Sequence, residues 1–198
     1  SARGHIELLN RFDFDDICLS MKASRVPLTV AAYRLASEEF NYPLHLGVTE
    51  TGTAWNGTIQ SAVGIGTLLC EGIGNTIRVS LTADPVEEVK TGIAILKAAG
   101  LRQRIRLVSC PTCGRTQIDL IGLAHEVEKR IEGIDRNITI AVMGCVVNGP
   151  GEAREADYGI AGGKDCGLLM RHGEVLGTYP YDALCDALID LIQKDTEV

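Results

Sequence analysis

Two stretches hold the residues best able to do chemistry. One is Cys110-Pro111-Thr112-Cys113; the other is Gly144-Cys145-Val146-Val147-Asn148-Gly149-Pro150-Gly151-Glu152. Thiols three positions apart can bite one metal centre from a single turn. Cys145 adds a third sulfur, and Glu152 is the obvious oxygen donor. Soft thiolates select zinc, copper(I) or iron–sulfur centres. A closed structural zinc site usually takes two paired dyads, and here the second dyad is missing. Three sulfurs with one hard, exchangeable ligand suit a [4Fe–4S] cluster in which one iron can open to substrate. Spacing alone leaves three readings open: an iron–sulfur redox enzyme, a zinc-stabilised interaction domain, or a thiol–disulfide oxidoreductase. The last is served by a Cys-X-X-Cys pair near a helix start, where a thiol pKa falls, but it has no need of Cys145. The usual three-cysteine motif of radical-SAM enzymes is absent.

The elements that must position these residues follow from hydrophobic periodicity. Strands at 105–109 and 137–143 each end just before a cysteine group, so parallel pairing would bring the groups together. A helix is expected over 117–131 between them, and the glycines around Pro150 predict a tight turn with bare N–H groups. A strand at 158–161, a hairpin of 167–170 and 175–179 turning at His172-Gly173, and an amphipathic helix at 181–193 complete this half. The first half reads as a helix at 5–12 and then three strand–helix units: strands at 16–24, 44–50 and 76–81, helices at 27–40, 57–71 and 85–99. Asp84-Pro85 marks the start of the last helix and Gly100 its stop. Repeated strand–helix units imply parallel strands and an α/β fold.

In the first strand Ile17, Leu19 and Met21 alternate with Cys18, Ser20 and Lys22; in the third, Ile77, Val79 and Leu81 alternate with Arg78 and Ser80. One face is apolar and one polar, unlike a strand covered on both sides. A polar face opening into a barrel mouth explains this, since barrel sites sit at the C-terminal strand ends. Lys22, Glu50, Arg78 and Ser80 lie at or near such ends, and the two cations suit a phosphate-bearing ligand. Glu50 breaks the alternation, so its direction is left open. His45 and His125 read as structural, and Gly64-Ile65-Gly66 as close helix packing rather than a dinucleotide fingerprint.

Composition narrows the partners. The chain of 198 residues is 45% hydrophobic and 23% charged, with a net charge of −7. Its cations are scattered, which excludes a basic nucleic-acid-binding face. No apolar run approaches a membrane span, and no signal peptide is visible. Seven cysteines, four of them isolated, argue for a reducing compartment rather than a disulfide framework.

The motifs Cys110-Pro111-Thr112-Cys113-Gly114-Arg115 and Gly144 to Ala153 closely resemble the 4-hydroxy-3-methylbut-2-enyl diphosphate synthase family. So do Met21-Lys22-Ala23-Ser24, Leu46-Gly47-Val48-Thr49-Glu50 and the run from Ile77 to Glu88. The likeness spans essentially the whole chain. It implies that residues 1–101 are the last units of an incomplete (β/α)8 TIM barrel on the diphosphate-binding side. Residues 102–198 would form an α/β cluster domain like those of sulfite and nitrite reductases. On this reading the chain carries only the family's C-terminal half and turns over little by itself.

The resemblance implies [4Fe–4S] ligands Cys110, Cys113, Cys145 and a displaceable Glu152. It implies substrate contacts from Lys22, Arg78, Ser80 and Asn148, with Glu50 a candidate acid. The reaction implied is the reductive ring opening of 2-C-methyl-D-erythritol 2,4-cyclodiphosphate in the methylerythritol phosphate route to isoprenoids, with flavodoxin or ferredoxin as donor. A homodimer is implied, in which one subunit's cluster domain closes over its partner's barrel. The compartment implied is the bacterial cytoplasm, or a plastid.

Overall fold

The computed structural model describes residues 1–195 apart from Arg104, Asp135 and Asn148, and it describes the backbone but not the side chain of Glu152. Contacts divide the chain into two compact units, Ser1–Arg102 and Gln103–Val198, which are taken separately. Together they make a mixed α/β fold. Among the described residues, no helix is long and apolar enough to cross a membrane.

The first unit runs α1 (Ala2–Asn10), α2 (Val26–Glu39), β1 (His45–Leu46), α3 (Ala54–Cys70), β2 (Thr76–Ile77) and α4 (Pro85–Ala98). Each long helix starts where the sequence permits. Pro27 stands in the first turn of α2; Asp84 caps α4 by accepting the Val86 N–H at 2.8 Å, with Pro85 at the first helical position. Gly100 then stops the chain with φ +73, a conformation that would strain most other residues. The core joins Leu19, Leu44, Leu46 and Val79 from the extended segments to Tyr33, Ala36, Ile65, Leu68 and Ile95 from the helices. Gly64 lies against Val48: an added Cβ would stand 2.6 Å from its Cγ2, so the glycine does serve close packing.

The predicted strands of this unit are much shorter than periodicity suggests. β1 and β2 pair in parallel over two residues, and Leu19 meets Leu44 in an isolated parallel bridge. The segments stay extended and adjacent, with single bonds such as Thr49 N–H to Ala23 O at 3.2 Å and Arg78 N–H to Leu46 O at 2.9 Å. Side-chain hydroxyls occupy several carbonyls here. Tyr33 and Ser20 both donate to His45 O, at 2.6 and 3.1 Å, and Thr51 donates to Ser80 O. Hydroxyls from α2 and from the extended segments therefore occupy acceptors that a continuous ladder would otherwise use.

The second unit is built on a five-stranded sheet of β3 (Ile105–Ser109), β4 (Ile138–Met143), β5 (Tyr158–Gly162), β6 (Cys166–Arg171) and β7 (Glu174–Pro180), adjacent in that order. The first three strands are parallel and the last two antiparallel. His172 and Gly173, at φ 48 and 79, make the hairpin turn with both central residues left-handed, which matches the strand twist. Helices α5 (Leu120–Arg130) and α7 (Leu184–Lys194) cover one face. There Leu123, Val127, Leu184, Leu188 and Ile192 pack on Ile140, Val142, Ile160 and Leu169. Truncating a fully buried leucine such as Leu188 should cost about 2–5 kcal/mol. On the other face small side chains, Ala141, Ala153, Ala156 and Ala161, leave room for close approach around Met143 and Met170.

Two expectations for this unit need correction. The segment around Pro150 is one turn of helix, α6 (Gly149–Glu152), rather than a bare tight turn. Gly149 lets it lie against β5, since an added Cβ would stand 2.7 Å from that of Ala161. Helix α5 starts at Leu120, not at 117, with Asp119 capping it through the Gly122 N–H at 2.9 Å. The residues before Asp119 are held elsewhere, by the cysteine loops.

Candidate metal centre and phosphate-binding face

In the second unit β3 and β4 run parallel with Ser109 opposite Val142, so their C-terminal ends finish together. Cys110 leaves one end; Gly144 and Cys145 leave the other. Gly144 stitches the two loops: its N–H donates to Cys110 Sγ at 3.3 Å, and its carbonyl accepts the Gln117 N–H at 3.3 Å. No side chain could stand at this position without pressure, because an added Cβ would lie 3.0 Å from Thr116 Cγ2 and 3.1 Å from Leu120 Cδ2. The first loop is closed by Thr116, whose N–H reaches Cys113 O at 3.0 Å and whose hydroxyl oxygen accepts the Cys113 N–H at 3.2 Å. Spacing does not single out Thr116. The signal was a hydroxyl residue three positions after the second cysteine, the pattern of a local side-chain-to-backbone turn.

The electrostatics favour a thiolate at Cys113. The Arg115 backbone N–H, its guanidinium and the Thr116 hydroxyl hold the Cys113 thiol below its ordinary range. Cys113 is exposed, while Cys110 and Cys145 are half-buried, and none of the seven cysteines is in a disulfide. Cys145 leads directly into α6: its carbonyl accepts the Gly149 N–H at 3.0 Å, and Gly149 O accepts the Ala153 N–H at 2.8 Å. The backbone of Glu152 thus ends α6, about two helical turns beyond the third cysteine. Its side chain, and the whole of Asn148, lie outside the described residues.

Among the described residues, no three of His, Cys, Asp and Glu stand close enough to hold a metal ion. The donor set nonetheless fits an iron–sulfur cluster. Its sulfurs are soft, two of them receive N–H or O–H donors, and all follow the C-terminal ends of the parallel strands β3 and β4. The exposed Val147 and Val146, at 81% and 36%, give this end an apolar rim.

The first unit brings Lys22 and Arg78 together. The half-buried Lys22 stem lies over Gly47, where an added Cβ would stand 2.7 Å from Lys22 Cε and 3.0 Å from Arg78 O. Burial, and then the charge of Arg78, push the Lys22 pKa down. Among the described residues neither cation has an ion pair, which leaves both available to an anion. His45, lowered by burial and then by the same two charges, keeps a structural bond to Thr76 Oγ1 at 2.8 Å. Ser80 is half-buried two positions after Arg78, its carbonyl taken by Thr51. Glu50 is exposed with φ 56, and that left-handed turn is why it departs from the strand alternation. Such a backbone in a non-glycine residue stores roughly 1 kcal/mol or more and recurs at functional sites.

Comparison with known proteins places both halves. A model of the GcpE TIM-barrel domain matches residues 1–93, and a model of the GcpE protein C-terminal domain matches residues 106–194. The chain is 62% identical over 195 residues to the 4-hydroxy-3-methylbut-2-en-1-yl diphosphate synthase (flavodoxin) of Geobacter sulfurreducens, covering 98% of this chain and 55% of that protein. It is 60% identical to the enzyme of the same name from Clostridium perfringens, over 98% and 56% of the two chains. It is also 60% identical to that of Clostridium acetobutylicum, over 96% and 54%. The chain therefore spans about 55% of the length of the curated relatives it matches. The expectation that the likeness is to the family's C-terminal half alone does not hold, because the barrel-domain model is matched as well as the C-terminal one. With both domain models met in chain order, the chain belongs to the GcpE family.

Proposed function

We propose that this chain acts in the reductive ring opening of 2-C-methyl-D-erythritol 2,4-cyclodiphosphate to 4-hydroxy-3-methylbut-2-enyl diphosphate and water, as an iron–sulfur oxidoreductase. The observation that carries the reading is the pairing of the two cysteine loops through Gly144 at the ends of adjacent parallel strands. On this reading the first unit is made of (β/α)8-barrel units and binds the diphosphate. The second is a cluster domain of the sulfite and nitrite reductase kind. The names of the relatives support flavodoxin as the electron donor, with ferredoxin the other member of that donor class. A second copy of the chain is the expected partner.

Each residue then has a role. Cys110, Cys113 and Cys145 would hold a [4Fe–4S] cluster, with Glu152 as the fourth, displaceable ligand. When bound, the cluster supplies electrons one at a time and one exchangeable iron position. Lys22 and Arg78 neutralise the diphosphate, Ser80 and Asn148 add hydrogen bonds to the substrate, and together they fix its reacting carbon, a proximity effect. Glu50 supplies a proton as the ring opens. The reaction consumes two electrons and two protons per water released, so a carboxylic acid near the breaking C–O bond has work to do.

Anaerobic reconstitution with ferrous iron and sulfide tests the centre. About four irons with matching sulfide per chain and broad visible absorbance are expected, with loss in the alanine variant of Cys110, Cys113 or Cys145. One zinc and no iron would overturn the reading in favour of a structural metal domain. Reversible two-thiol oxidation independent of Cys145 would favour thiol–disulfide chemistry.

A further inference from the structure

The hydroxyl of Thr116 has more bonding capacity than a loop brace needs. Its oxygen accepts the Cys113 N–H at 3.2 Å, so its own proton must point elsewhere, and Cys113 Sγ lies 4.0 Å away on that side. The same side chain presses on Gly144, with Cγ2 and Oγ1 at 3.0 and 3.1 Å from where a Cβ would stand. Gly144 in turn donates its N–H to Cys110 Sγ. One threonine therefore touches the backbone that carries the second sulfur and the glycine that addresses the first.

We propose that Thr116 is a positioning residue for the iron–sulfur centre: its hydroxyl holds Cys113 in its ligating conformation and donates to the Cys113 sulfur. This rests on the cluster reading above. The physical consequence is specific. A donor aimed at a ligating thiolate withdraws electron density from it and stabilises the reduced, more negative state of the centre. A threonine that merely packs would fill the space under Gly144 and leave the potential alone.

Two substitutions separate these roles. Thr116→Val keeps the volume and removes both the acceptor and the donor. Thr116→Ser keeps the hydroxyl and removes the methyl. The full chain and both variants are reconstituted anaerobically, iron and sulfide are counted, and the centre is titrated potentiometrically by its absorbance and the paramagnetic signal of its reduced form. Thr116→Ser is expected to titrate with the wild type. Thr116→Val is expected to shift to a more negative potential and to lose iron to a chelator several-fold faster. A Thr116→Val protein that cannot be loaded, beside a Thr116→Ser protein that loads and titrates normally, supports the same assignment. Thr116→Val at the wild-type potential overturns it, as does Thr116→Ser shifted or emptied as far as Thr116→Val, since packing would then carry the effect. A wild-type chain that takes up no iron and sulfide overturns the cluster reading and this proposal together.

Discussion

Gly144→Ala tests the geometry of the cysteine loops without touching a sulfur. The new methyl carbon would stand 3.0 Å from Thr116 Cγ2 and 3.1 Å from both Thr116 Oγ1 and Leu120 Cδ2. Comfortable contact between carbons is about 3.5–4.0 Å, so each neighbour must retreat by several tenths of an ångström. Thr116 is tied to Cys113 through its N–H and its hydroxyl, and Leu120 is buried at the start of α5, so neither yields freely. Overpacking of this kind costs about 1–3 kcal/mol. The stiffer unfolded chain of an alanine variant offsets about 0.4–1 kcal/mol of that.

The net, about 1–2 kcal/mol, should lower the melting temperature of a domain of this size by about 5–12 °C. All the contacts lie within Gln103–Val198, so a transition belonging to Ser1–Arg102 should not move, which provides an internal control. Calorimetry on the full chain reads both. Adding Thr116→Ser removes the nearest of the three contacts, so the double variant should recover part of the loss, with a coupling of about 0.5–1 kcal/mol. A Gly144→Ala protein melting within about 2 °C of the wild type, or a double variant that merely sums the two losses, would refute the packing argued for this glycine.

Ser61 is fully buried in α3, and its Oγ has no hydrogen-bond partner among the described residues. Ser61→Ala should therefore stabilise the first unit by about 1 kcal/mol, read as a higher melting temperature; a lower one would mean the hydroxyl is satisfied. Lys22→Ala and Arg78→Ala should each weaken inorganic pyrophosphate binding about tenfold at low salt, with a shallower salt dependence, measured by titration calorimetry. Wild-type affinity in both variants would remove them from the phosphate site. Burial, then the charge of Glu126, push the Cys185 thiol on α7 from 9.0 to about 11, against an opposing pull from Arg130. A raised thiol pKa stabilises the fold below the unfolded value and loses that contribution as pH rises through the folded one. Stability of the second unit should therefore fall between about pH 9 and 11 by about 2–3 kcal/mol in total, and Cys185→Ala should flatten that slope in denaturant titrations.

Periodicity reports which face of a segment is buried, and this explains both what the sequence disclosed and what it did not. The buried faces of the amphipathic α7 helix and of the alternating Ile17-Leu19-Met21 run are found as read, because burial decides them. The turn at His172-Gly173 was legible for a different reason, since few residues tolerate two consecutive positive φ angles. Hydrogen-bond partners are another matter. Nothing in an alternating pattern says that Tyr33 and Ser20 will both take the carbonyl of His45, or that Thr51 will take that of Ser80, and those bonds accompany the short β1 and β2. Glu50 shows the same limit, because its parity was ambiguous until its left-handed backbone was known.

The cysteine loops lie on that boundary between pattern and partner. That Cys110 and Cys145 would leave neighbouring strand ends follows from two apolar runs and a helix between them, since a parallel pair needs such a crossover. How the loops are held does not follow. Gly144 spends both of its backbone groups on the first loop, and Thr116 spends its hydroxyl on Cys113, so the residues that arrange the sulfurs carry no sulfur themselves. A ligand motif read from sequence names the atoms that would touch iron. The N–H and O–H groups that aim those atoms, and that set how readily the centre accepts an electron, come from glycine and threonine, residue types too common to be noticed until the fold puts them beside a thiolate.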